Sequence, residues 1–156
     1  MTMTHAETTV AGSTKAGAAT TSPALRVKTL DHVTLVVKDL GRSHDFYAGV
    51  LGMQPIDRPK FSFAGSWFQA GKTQIHLILE HTESGPAGVP IPQQLLGMSR
   101  THHFAFEVED AYAASEMLRQ NGIPVVSGPK NRPDGMIQVF ATDPDGHVVE
   151  LCSWPR

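Results

Sequence analysis

The chain has 156 residues, 40% hydrophobic and 18% charged, with a formal charge of −2 and a pI near 6.4. That balance is an ordinary globular composition with no basic footprint for nucleic acid or anionic lipid. No apolar run approaches the roughly 20 residues needed to cross a bilayer. The single cysteine, Cys152, excludes an internal disulfide framework and points to a reducing, cytoplasmic setting.

Residues 1–26 are mostly Thr, Ala, Ser and Gly, with no apolar period and no aromatic. Such a segment buries too little to offset its ordering entropy, and a disordered tail is expected. It lacks the continuous apolar stretch of a secretory signal. Glu7 and the absence of any arginine before Arg26 argue against a transit peptide. Residues 27–156 read as one domain, long enough to bury a core without staples.

The first module spans 27–80. From His32 to Val37 apolar residues alternate at period two, which predicts a half-buried strand. Asp39 is suited to cap a helix whose stripe is Leu40, Phe46, Tyr47, Val50 and Leu51. Gly52 ends it at the left-handed C′ position, and Met53 and Pro55 follow. Trp67 to Leu77 reads as a hairpin turning at Gly71. Residues 81–100, rich in Gly and Pro, form a connector of the length that often covers or shapes a site.

The second module, 101–156, repeats this order. His103 to Val108 alternates, Asp110 caps, and Ala111, Ala114, Met117 and Leu118 make the helical stripe. Gly122 stops the helix before Ile123 and Pro124. Val139 to Leu151 is a hairpin turning at Asp143-Pro144-Asp145-Gly146. His103 follows His32 by 71 residues, and Glu150 follows His76 by 74.

Alternation assigns faces. Val33, Leu35 and Val37 pack under the helices, leaving His32 opposite. Ile75, Leu77 and Leu79 do the same and leave His76. Phe104, Phe106 and Val108 select His103 over His102, and Val149 with Leu151 leave Glu150 facing away from the helices. Three imidazoles and a carboxylate at equivalent places in a repeat predict one divalent cation site, suited to Zn, Ni, Fe, Co or Mn. Trp67, Phe61 and Phe63 are candidates for an apolar substrate wall or for plain packing. Lys130 and Arg132, in a loop from Ser127 to Gly135, are solvated charges or partners for an anionic group. Cys152 shares the strand face of Glu150 and reads as a small apolar filler.

Leu30-Asp31-His32-Val33, Phe46-Tyr47 through Leu51-Gly52-Met53, His103-Phe104-Ala105-Phe106, and Asp143-Pro144-Asp145-Gly146 through Glu150-Leu151 resemble the vicinal oxygen chelate superfamily. That superfamily includes glyoxalase I, methylmalonyl-CoA epimerase, fosfomycin thiol transferases, extradiol dioxygenases and bleomycin-resistance proteins. The resemblance covers about Val27 to Trp154. It implies an α+β fold in which paired βαβββ modules form an open, cup-shaped mixed sheet around a metal. It also implies a homodimer in which His32 and His76 meet His103 and Glu150 of the other subunit.

Bleomycin-binding members lack the metal ligands that this chain keeps, so a drug- or metabolite-binding resistance protein is the third choice. Extradiol dioxygenases need only the triad matching His32, His103 and Glu150. They tend to carry a tyrosine acid where this chain has Val139-Phe140-Ala141. A fourth ligand-capable residue, His76, points instead to the lyase, isomerase or epimerase group, where Glu or Gln is common at that position. The resemblance implies a small substrate that chelates the metal through adjacent oxygens, with Glu150 as ligand and candidate base. An Fe or Mn ring-cleaving dioxygenase is the alternative.

Overall fold

A computed structural model describes Leu25 and residues 27–88 and 100–156. The expected tail lies outside these residues except Leu25, and most of the expected connector, 89–99, lies outside them too. The strands are β1 (His32–Val37), β2 (Gln54–Ile56), β3 (Gly65–Ala70), β4 (Thr73–Leu79), β5 (Phe104–Glu107), β6 (Val125–Asn131), β7 (Ile137–Thr142) and β8 (Val148–Ser153). Two helices, α1 (Leu40–His44) and α2 (Ala111–Gln120), each follow the first strand of a module. The result is βαβββ twice, with sheet orders β1-β4-β3-β2 and β5-β8-β7-β6.

Both caps form as the residue types require. Asp39 accepts from the Arg42 amide at 3.0 Å, and Asp110 accepts from the Tyr112 and Ala113 amides at 2.8 and 3.1 Å. Gly52 and Gly122 take φ of 68° and 70°, the left-handed conformation that stops a helix without a Cβ clash. The first helix departs from expectation. After five α-helical residues it continues as a π-helical segment, Asp45–Val50, with the Leu51 amide donating to the Phe46 carbonyl. In this segment the neighbours Phe46 and Tyr47 are both fully buried.

Leu35, Val37, Ile75 and Leu77 from the first sheet, with Val139, Val149 and Leu151 from the second, belong to one core cluster. A cavity of about 1250 Å³ lies between the modules, lined by Val33, Leu35, Ile75, Phe104, Phe106 and Leu151. It wraps the free edge of β5 as far as His103. Helix α1 packs on β3 and β4, and α2 packs on β6, β7 and β8, so each sheet keeps its apolar face under its own helix.

A buried polar network ties the modules together. The Asp143 carboxylate accepts from the Tyr47 hydroxyl at 2.9 Å and contacts His147 Nδ1 at 2.8 Å. Its other oxygen accepts from the amides of His147 and Asp145 at 2.8 and 3.0 Å. Beside it, the Lys38 amide donates to the Asp145 side chain at 3.2 Å. Around Asp143, Tyr47 and His147 these bonds pair polar groups that burial would otherwise leave unsatisfied.

Burial, and then the Asp143 carboxylate, push the Tyr47 phenol above its ordinary value. The phenol is thus easier to ionise in the unfolded chain than in the folded one. The stability that it contributes is complete below about pH 10 and falls as the pH rises beyond that. Tyr47→Phe is expected to cost about 1–3 kcal/mol at neutral pH, read from the urea midpoint. The variant should also show a shallower loss of stability above about pH 10 than the parent. Matching midpoints and matching alkaline slopes would contradict this role.

Candidate metal centre

The two modules present donor pairs in the same register. In the parallel pairing of β1 with β4, Thr34 stands beside His76, so His32, two residues earlier, shares its face. In the parallel pairing of β5 with β8, Ala105 stands beside Glu150, and His103, two residues earlier, shares that face. His103 lies just before β5 rather than inside it.

In the first pair the imidazoles of His32 and His76 stack with centroids 4.2 Å apart and planes 14° from parallel. His32 Nδ1 contacts the Asp31 carboxylate at 2.8 Å, and His76 Nε2 contacts the Gln74 side-chain carbonyl at 2.8 Å. Such contacts set ring orientation and leave the opposite nitrogen for a ligand. Burial, and then His32, lower the His76 imidazole below its ordinary value. Its neutral, lone-pair-bearing form is therefore favoured at physiological pH.

In the second pair His103 Nε2 lies 3.0 Å from Glu150 Oε2, while His103 Nδ1 contacts the Thr101 carbonyl oxygen at 2.7 Å. A solvated strand carboxylate is not what the fold holds, for only 5% of the Glu150 side chain is exposed. β8 runs between β5 and β7, and every residue along it is buried. Glu150 Oε1 is buried with no hydrogen-bond partner. Burying an acceptor without a partner is costly, so this oxygen is poised for a cation or a donor from outside the chain. Arg132 Nη1 approaches it at 3.9 Å.

Residues 127–131, expected as a loop, belong to strand β6, whose register slips on both sides of Ser127. Such bulges bend an edge strand. Lys130 Nζ lies 5.6 Å from the Phe140 ring centroid, and Arg132 reaches Glu150. Cys152 is buried, its Sγ lies 3.6 Å from the Phe106 carbonyl oxygen, and burial followed by Glu150 pushes its thiol up.

Within one chain the four residues stand as two pairs. Among the described residues no group of three or more His, Cys, Asp or Glu side chains is close enough to hold an ion. Sequence reasoning also passed over Asp31 and Gln74, the partners of the two imidazoles. Their nearness to His32 and His76 along each strand was the available signal.

A family model described as the glyoxalase/bleomycin resistance protein/dioxygenase superfamily matches residues 29–151. The chain belongs to that superfamily. Glyoxylase I 4 of Arabidopsis thaliana is 30% identical over 133 residues, covering 83% of this chain and 72% of the relative. Lactoylglutathione lyase of Escherichia coli O157:H7 is 33% identical over 125 residues, covering 77% and 88%. Among solved structures, a glyoxalase/dioxygenase from Nostoc punctiforme superposes with a TM-score of 0.66 at 25% identity, covering 83% of this chain and 92% of that one. The superfamily fold is the one described above.

The donor set fits a divalent ion: three imidazoles and one buried carboxylate, whose Oε1 has no partner. Ni²⁺ or Zn²⁺ at a hundred times its Kd is expected to raise the unfolding free energy by about 2.7 kcal/mol, an effect that a chelator reverses. His76→Ala and His103→Ala should each abolish the rise. A parental response in both variants would remove these residues from the site.

Proposed function

We propose that this protein is a divalent-metal-dependent enzyme of the glyoxalase type, a lyase or isomerase. Its substrate is a small molecule that presents adjacent oxygens to the ion. The site is completed in a homodimer, with His32 and His76 of one subunit meeting the His103 and Glu150 positions of the other. The observation that carries this reading is the matched register of the two donor pairs, one of them ending in a buried carboxylate with an unpartnered oxygen. The lyases among the relatives support the reaction class.

His32, His76, His103 and Glu150 would hold the ion, which supplies Lewis acidity toward a carbonyl and its neighbouring oxygen. The chain's own residues do the rest. Glu150, released from the ion when substrate arrives, would take the proton from the carbon beside the carbonyl and return it to the carbonyl carbon, while the hydroxyl proton of the first carbon passes to the former carbonyl oxygen. Its apolar strand neighbours Val149 and Leu151 keep β8 dry and fixed, so the carboxylate is pre-oriented. His103, anchored by the Thr101 carbonyl, orients Oε2. Arg132 offers a cation to the negative charge near Oε1.

Glu150→Gln keeps the shape and an oxygen donor and removes the base. Metal analysis on protein purified without added metal, paired with turnover of 2-oxoaldehyde thiol adducts and related α-hydroxycarbonyl substrates, tests the assignment. The expected result is bound metal with turnover reduced by about 100-fold or more. Near-parental turnover with metal retained would rule out Glu150 as the base. Oxygen uptake with catechols and bound iron would replace the lyase reading with a ring-cleaving dioxygenase.

A further inference from the structure

On the site face of the first sheet, the donor pair continues into a series of aromatic rings. His76 is stacked on one side by His32 and on the other by Trp67, with 3.9 Å between the Trp67 and His76 centroids and 5° between planes. The register explains the contact, because Trp67 on β3 is directly opposite His76 on β4. From Trp67 the series runs to Phe61 at 6.1 Å, from Phe61 to Phe63 at 5.2 Å, and from Phe63 to His81 at 5.5 Å. Buried packing does not account for it. Phe61 is 48% exposed, and Phe63, Trp67 and His76 are only half-buried.

A cation is built into the same wall. The Arg58 guanidinium lies 4.5 Å from the Phe61 centroid and 4.9 Å from the Phe63 centroid. One of its N–H groups donates to the Phe63 carbonyl at 3.0 Å. Among the described residues Arg58 has no carboxylate partner, though it is half-buried. Gly65 makes the room: an added Cβ would fall 3.2 Å from Arg58 Nε and closer still to the Leu77 carbonyl. A side chain there would push the guanidinium away. A half-buried cation held over two rings, with donors left over, suits an anion attached to a planar apolar group.

We propose that Phe61, Phe63, Trp67 and Arg58 form a specificity subsite for a substrate whose non-reacting part is a flat aromatic ring bearing a carboxylate. The ring stacks along the Trp67–Phe61 wall and the carboxylate pairs with Arg58, so the adjacent oxygens are delivered beside His76. This inference rests on the metal-dependent reading for the reacting end of the substrate, but the subsite binds its ring without the ion.

The test uses full-length protein carrying Trp154→Phe, so that Trp67 is the sole tryptophan fluorophore. Its quenching is titrated with 2-naphthoate, cyclohexanecarboxylate and 2-naphthalenemethanol, with chelator and with added Ni²⁺. 2-Naphthoate is expected to bind at least about fivefold more tightly than cyclohexanecarboxylate, which lacks a π face. It should exceed the neutral alcohol by about threefold or more, and that margin should vanish in Arg58→Met. Phe61→Leu, at a half-exposed position, should weaken 2-naphthoate about threefold to tenfold without moving the thermal midpoint. Equal affinity for the flat and the saturated acids, or parental affinity in Phe61→Leu, would overturn the subsite. Metal binding and turnover in a protein that fails this titration would sink the subsite alone. Ring binding in a protein that takes up no metal would sink only the enzymatic reading.

Discussion

The parallel pairing of the first and last strands in each module is the constraint on which the site depends. In β1 with β4 and β5 with β8, this pairing aligns side-chain alternation across neighbouring strands. A residue two places before the register partner of a donor must then share that donor's face. The rule puts His32 with His76 and His103 with Glu150, while the intervening positions supply Val33, Ile75, Phe104 and Leu151 to the interior. A one-residue slip in either pairing would send a ligand into the core. The same hydrogen bonds that make the sheet therefore select the chemistry of each of its faces.

How the modules sit relative to one another follows from packing and from one buried carboxylate. Each apolar face packs under its own helix, and Asp143 links the modules by joining Tyr47 of the first to His147 of the second. Among the described residues the two donor pairs of one chain do not gather into a single group. A second copy of the chain is the simplest source of the missing half, since a two-fold dimer creates two equivalent composite sites at once. Under this account the latch at Asp143 is a precondition for the site although it touches none of the donors.

Much of this was legible in the sequence because it is local or periodic. Alternation around His32, His76, His103 and Glu150 gave their faces, and Asp39, Asp110, Gly52 and Gly122 marked both helices through backbone chemistry that acts within a few residues. The missing parts depend on distant contacts or curvature. Glu150 reads as a strand-face charge, yet the sheet closes over it, and nothing near residue 150 encodes that closure. Tyr47 and Asp143 are 96 residues apart, so no periodicity links them. The bulges in β6 convert an apparent Gly/Pro loop into a bent edge strand that carries Arg132 to Glu150. Arg58 looks like an ordinary surface cation until the turn between β2 and β3 folds Phe61 and Phe63 against it.

The claim that most needs testing is that each metal site is shared between two chains. Two double variants, His32→Ala with His76→Ala and His103→Ala with Glu150→Gln, would be purified separately, unfolded, mixed in equal amounts and refolded together. Bound metal would then be measured. A shared site predicts that neither variant alone retains metal, whereas the mixture recovers about one quarter of the parental amount, because half of the dimers carry one intact site. A mixture as empty as its two components, with parental protein refolding to full occupancy, would contradict it.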